Sequence, residues 1–163
     1  MSDNIKNVLI RVLAVAIVSS AVGLMGCASF DIETPEEMVV VEKSGNEYVA
    51  MTHDGIVLRA LVHPREDAEG GGHDFWVKSV RERMRTRGGY ALLDEYDVES
   101  ADGHRGTRLE FGRDQDGIPY QYWITLFVTD DAVHVIDTGG RDERFDNVRE
   151  VVKQAIASYE VRK

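Results

Sequence analysis

The chain has 163 residues, 43% hydrophobic and 29% charged, with a formal net charge of -10 and a single cysteine. That length suits one domain with a core large enough to fold alone, and a lone cysteine excludes an intramolecular disulfide. The excess of acid repels polyphosphates and anionic headgroups, which argues against nucleic acid as a partner.

The chain opens with Lys6 and Arg11, followed by fifteen uncharged residues from Val12 to Gly26. As a helix this run would be roughly 22 Å long, short of the hydrocarbon core of about 30 Å. A basic start, an apolar middle and small residues at its end describe a secretory signal peptide instead. Leu24-Met25-Gly26 then runs into Cys27. This resembles the lipobox of bacterial lipoproteins, with an aliphatic residue three before the cysteine and a small one just before it. The resemblance implies cleavage ahead of Cys27, a diacylglyceryl thioether on its sulfur and acylation of the new amino terminus. Several acyl chains make a stable anchor where a single chain is marginal. Ala28, rather than Asp, follows the cysteine, which in a Gram-negative cell favours the periplasmic face of the outer membrane. The mature chain, from Cys27, carries 17 basic and 28 acidic side chains.

Residues 1–26 are therefore expected to be a cleaved signal peptide, 27–38 a lipidated start with a flexible tether, and 39–163 one globular domain. The tether is expected from "SFDIETPEE", residues 29–37, with four acids, one proline and no periodicity. Beyond it, Asp-Gly pairs at 54–55, 102–103 and 116–117 punctuate segments rich in aliphatic, aromatic and threonine residues. Asp-Gly marks tight turns because Gly reaches positive φ without steric cost. Strands are expected at 47–52, 56–63, 90–98, 106–112, 118–129 and 132–138, with a short one at 39–43 and a turn at Asp130-Asp131. Between them "HDFWVKSVRERMRTRG", residues 73–88, spaces Trp76, Val77, Val80 and Met84 by helical steps and offers Gly88 as its stop. A second helix over 142–158 carries Phe145, Val148, Val152, Ala155 and Tyr159 on one stripe, with Asp142 as N-cap.

Residues 118–129 decide the layering. Ile118, Tyr120, Tyr122, Ile124, Leu126 and Val128 share one face, yet Trp123 and Phe127 lie on the other. A strand apolar on both sides is covered on both sides. The predicted fold is α+β: an antiparallel meander with a helix on each face, an α/β/α sandwich. "HDGIVLRALV", "RGGYALLDEYDV", "IPYQYWITLFV" and "ERFDNVREVVKQAI", in this order after a lipobox, resemble the Mog1/PsbP-like fold and small bacterial lipoproteins of the DcrB type. The resemblance implies a binding or assembly role in place of catalysis.

No catalytic residue, cofactor or metal site is expected. His53, His63, His73, His104 and His134 show no ligand spacing. The acidic stretch holding His63, Glu66, Asp67, Glu69, His73 and Asp74 reads as a solvated loop, and the same acids disqualify Gly70-Gly71-Gly72 as a phosphate cradle. No serine lies in a G-x-S-x-G elbow. The aromatics read as core, apart from Tyr120 and Trp123, which are the candidates for a partner-binding surface. The expectation is an envelope lipoprotein attached to the membrane through Cys27, binding another envelope protein. The alternative is a module for a small molecule or divalent metal, using the sheet face or the 63–74 loop.

Overall fold

The computed structural model describes residues 29–65 and 71–162. Its order is β1 (Phe30–Asp31), β2 (Met38–Lys43), β3 (Glu47–Thr52), β4 (Val57–Pro64), α1 (His73–Gly88), β5 (Ala91–Glu99), β6 (Arg105–Gln115), β7 (Ile118–Val128), β8 (Ala132–Arg141), α2 (Asp142–Ala157) and β9 (Glu160–Val161). Seven strands form one antiparallel sheet in the order β2-β3-β4-β8-β7-β6-β5, and β1 pairs with β9 beside it. Two meanders thus meet at their last strands, where Leu58 stands opposite Thr138 and Ala60 opposite Ile136.

The turns form where Asp-Gly pairs require them. Gly55, Gly103 and Gly117 all take positive φ, and Asp116 joins Gly117 there at φ 55°, as a two-residue hairpin between right-twisted strands demands. Helix α1 runs through Gly88, and the left-handed residue that stops it is Gly89, at φ 64°. Helix α2 differs at its start: Arg141, in extended conformation, is the N-cap, and Asp142 is the first helical residue. The Asp142 carboxylate accepts a hydrogen bond from the Gln121 amide, so it is spent on β7 and not on the helix amides.

The two-faced pattern of β7 is realised as expected. Trp123 and Phe127 pack with Phe145, Val148, Val152 and Ile156 of α2. Ile124 and Leu126 pack with Leu109, Phe111 and Val77, under α1. Each helix covers only part of its face, α1 the β5–β7 side and α2 the β7–β8 side.

The segment expected to be a tether is folded. Phe30 pairs with Val161, is only 5% exposed, and stacks on Tyr159 with centroids 5.3 Å apart. Ile32 is buried as well, the Glu33 N–H donates to Ser158 Oγ (2.9 Å), and the Tyr48 hydroxyl donates to Thr34 Oγ1 (2.9 Å). Phe30 in β1 and Ile32 just after it are both buried, and their burial outweighs the solvation that four acids suggest.

Candidate functional site

All the turns at one end of the sheet converge on the point where the described chain begins. The Ser29 N–H donates to the Gly45 carbonyl in the β2–β3 turn (2.8 Å), and its own carbonyl accepts from the Arg162 N–H (3.0 Å). Here β4 ends, β8 begins, and the β5–β6 and β7–β8 turns project. Among them lies a cavity of about 490 Å³, with Val62, Ala132, His134 and Val161 in its walls and Ser29, His104, Asp130, Asp131 and Arg162 around them.

His134 is 2% exposed and meets the Tyr159 hydroxyl through Nδ1 at 2.7 Å. Burial drives its pKa down to about 4; nearby His104 pushes the same way, and Asp102 opposes. Burial also raises the Tyr159 phenol, so this pair is neutral across the physiological range. The Tyr159 ring is itself held between Phe30 and Phe127, the latter at 5.6 Å and 5° from parallel. Next to them, Asp102 accepts from Ser100 Oγ (2.6 Å) and the Val161 N–H (3.2 Å), and lies 3.0 Å from His104 Nδ1. Burial lifts the Asp102 carboxyl, but these hydrogen bonds outweigh it and leave the group below its usual range. His134 therefore holds Tyr159, and Asp102 holds Val161, against the sheet, and both histidines line the cavity.

The sequence did not single out this pair, because His104 and His134 lie thirty positions apart and only the β6–β7–β8 meander brings them together. Cys27 and the lipobox residues Leu24, Met25 and Gly26 lie outside the described residues, as do Glu66, Asp67 and Glu69. Among the described residues no three His, Cys, Asp or Glu side chains gather to hold a metal ion.

Of the two expected surface aromatics, Trp123 is core. It is 1% exposed, meets Phe145 edge-on at 4.8 Å, and lies between the guanidinium groups of Arg108 (4.9 Å) and Arg149 (5.2 Å). The reason is its strand: β7 is internal to the sheet, and α2 seals the face to which Trp123 points. Tyr120 is half-buried on the same strand, opposite Arg113 and Arg141.

Exposed apolar side chains lie elsewhere: Phe75 on α1, Leu92 and Leu93 on β5 at one sheet edge, and a run on β2 at the other. Val39 is 69% and Val41 53% exposed, and Val40 and Met51 are exposed as well. Val39 and Met51 face each other across β2 and β3, on the side that α2 does not cover. The pairing skips Val41 in a β-bulge, and among the described residues no strand pairs with the outer edge of β2.

None of the known protein-family models matches this chain, and no curated protein sequence does. Solved structures do. The cyanobacterial PsbP protein (CyanoP) of Synechocystis sp. PCC 6803 superposes with a TM-score of 0.58 at 13% identity, over 85% of this chain and 96% of its own. LpqN of Mycobacterium tuberculosis, described as involved in cell envelope biogenesis, gives 0.64 at 11% identity, over 82% and 83%. PA94 of Pseudomonas aeruginosa, of unknown function, gives 0.55 at 12% over 78% and 99%. At such identities the likeness is one of fold, and the fold is PsbP-like: a large antiparallel sheet with two helices.

Proposed function

We propose that this chain is a non-enzymatic assembly module of the bacterial cell envelope, tied to the membrane by lipid on Cys27 and recognising another envelope protein through the β2 edge. The observation that carries the recognition is the run Val39-Val40-Val41, three consecutive exposed valines on a strand whose outer edge is unpaired among the described residues. An apolar strand edge left open invites its own pairing unless it has a partner, and adding a strand there supplies backbone hydrogen bonds together with side-chain contacts. The partner chemistry that fits is an extended segment, apolar at alternate positions and not acidic, since the mature chain is itself strongly negative. The PsbP-like fold and the envelope role named for LpqN support this reading. The outer-membrane periplasmic face is the favoured location in a Gram-negative cell.

Catalysis fits the site poorly. A histidine with a pKa of about 4 is a weak proton acceptor at pH 7, and the neighbouring Thr129 hydroxyl is engaged with the Ala132 backbone. The second reading, a small-molecule module, draws on the cavity beside Ser29.

Affinity capture from detergent-solubilised membranes tests the assembly role. Wild type is expected to recover a reproducible envelope partner, and a variant with Val39→Lys and Val41→Glu to lose it while melting at the wild-type temperature. Equal recovery by both would refute the β2 assignment. Thermal-shift screening against divalent cations and small metabolites addresses the second reading, because a ligand bound only by the native state raises Tm.

A further inference from the structure

We infer that the cavity beside Ser29 houses one acyl chain of the lipid on Cys27, so that the domain sits directly on the membrane instead of hanging from a spacer. The inference rests on the lipidation of Cys27 proposed above and extends it to the placement of the lipid.

Position is the first argument. The described chain begins at Ser29, which borders the cavity and is pinned on both sides, to Gly45 and to Arg162. Cys27 is two residues from Ser29 in sequence, and two residues reach about 7 Å at full extension, so the spacer between that border and the lipid is short. The pairing of Phe30 with Val161 removes the slack that a flexible tether would provide.

Lining and charge are the second. Val62, Pro64, Ala132 and Val161 give the cavity apolar surface beside the polar His104, Thr129 and His134, and the exposed Asp130 and Asp131 border it. The Arg162 guanidinium near them is bonded to Asp31 at 2.8 Å. A fatty acid carboxylate or an anionic phospholipid head would meet two aspartates there. A glyceride joined through a thioether is uncharged and meets no such repulsion, so the bordering aspartates favour the protein's own anchor over a free anionic lipid.

Size and rigidity are the third. About 490 Å³ lies within the range of roughly 300–1,000 Å³ of small-ligand sites. The wall formed by His134 and Val161 is held by the Tyr159 stack, by the His134–Tyr159 bond and by the bond from the Val161 N–H to Asp102.

The test uses full-length protein made in bacteria fed a palmitic acid analogue with a photoreactive diazirine on its alkyl chain. Intact mass first establishes whether the analogue is attached. After irradiation, intramolecular adducts are expected on the peptides containing Val62, Ala132 and Val161, and filling the space by Ala132→Phe is expected to remove them. A protein shown to be lipidated, with adducts absent from these peptides, would overturn the inference and leave the anchor intact. A protein carrying no lipid would overturn the anchor itself. Unlipidated Cys27→Ser protein given the free analogue separates the sources: no capture is expected, and capture on the same peptides would mean that the cavity takes lipid from outside.

Discussion

Tyr159 does the work of several residues in this fold. Its ring joins the first strand to the sheet by stacking between Phe30 and Phe127, and its hydroxyl satisfies a buried imidazole. Tyr159→Phe keeps the stack and strands His134 Nδ1, which is expected to cost about 1–3 kcal/mol in urea unfolding. The histidine also sets a pH dependence. Unfolded, it titrates near pH 6.5, and folded at about 4. Above pH 6.5 it is neutral in both states and changes nothing. Between about 6.5 and 4 the unfolded chain takes up a proton that the fold refuses, so stability falls, by roughly 3 kcal/mol in all. Asp102, held below its usual range, loses its contribution only at lower pH still. His134→Gln is expected to flatten the urea midpoint between pH 6.5 and 4; an unchanged slope would assign that dependence to other groups. At this scale the sequence was least legible. It showed that Trp123 is aromatic and on an alternating strand, but not that α2 closes over it, and it held no sign that His104 and His134 meet.

Elements were far more legible. Asp-Gly pairs located three hairpin turns because only a left-handed residue closes them, and helical spacing located both helices to within a residue or two. Gly117, at φ 78° with open space around its Cα, isolates the conformational cost. Gly117→Ala is expected to lose about 1–2 kcal/mol, read from the thermal midpoint. Gly106 is a different case, since a Cβ there would lie 2.5 Å from the Phe127 ring and 2.6 Å from the Leu126 carbonyl. Two elements, β1 and its partner β9, escaped the pattern for physical reasons. β1 is two residues long and surrounded by acids, so neither periodicity nor composition marks it; its stability comes from Tyr159 and Val161, more than a hundred positions away. Phe30→Ala tests this directly, with an expected loss of about 3–5 kcal/mol, whereas a solvated tether would lose almost nothing. Asp142 was expected to cap α2 because its residue type favours that role, but extended Arg141 holds the cap position, and the Asp142 carboxylate in the first turn accepts from Gln121.

Across the whole molecule, the α/β/α order followed from one strand apolar on both sides, while the pairing of β4 with β8 did not. That contact joins two meanders from distant parts of the chain, and no local signal specifies it. The consequence is polarity: the described chain begins and ends at the same end of the sheet, with Ser29 bonded to Arg162. The free β2 edge runs from that end toward the other. A lipid on Cys27 would therefore set this end against the bilayer and hold the Val39–Val41 edge upright within reach of a membrane-bound partner.

Everything in this arrangement depends on what Cys27 carries. The most direct measurement is the mass of the N-terminal peptide of the protein purified from membranes. The expected peptide starts at Cys27 and bears a diacylglyceryl group with a further acyl chain on its amine. A peptide that starts elsewhere, or an unmodified Cys27, would contradict the account.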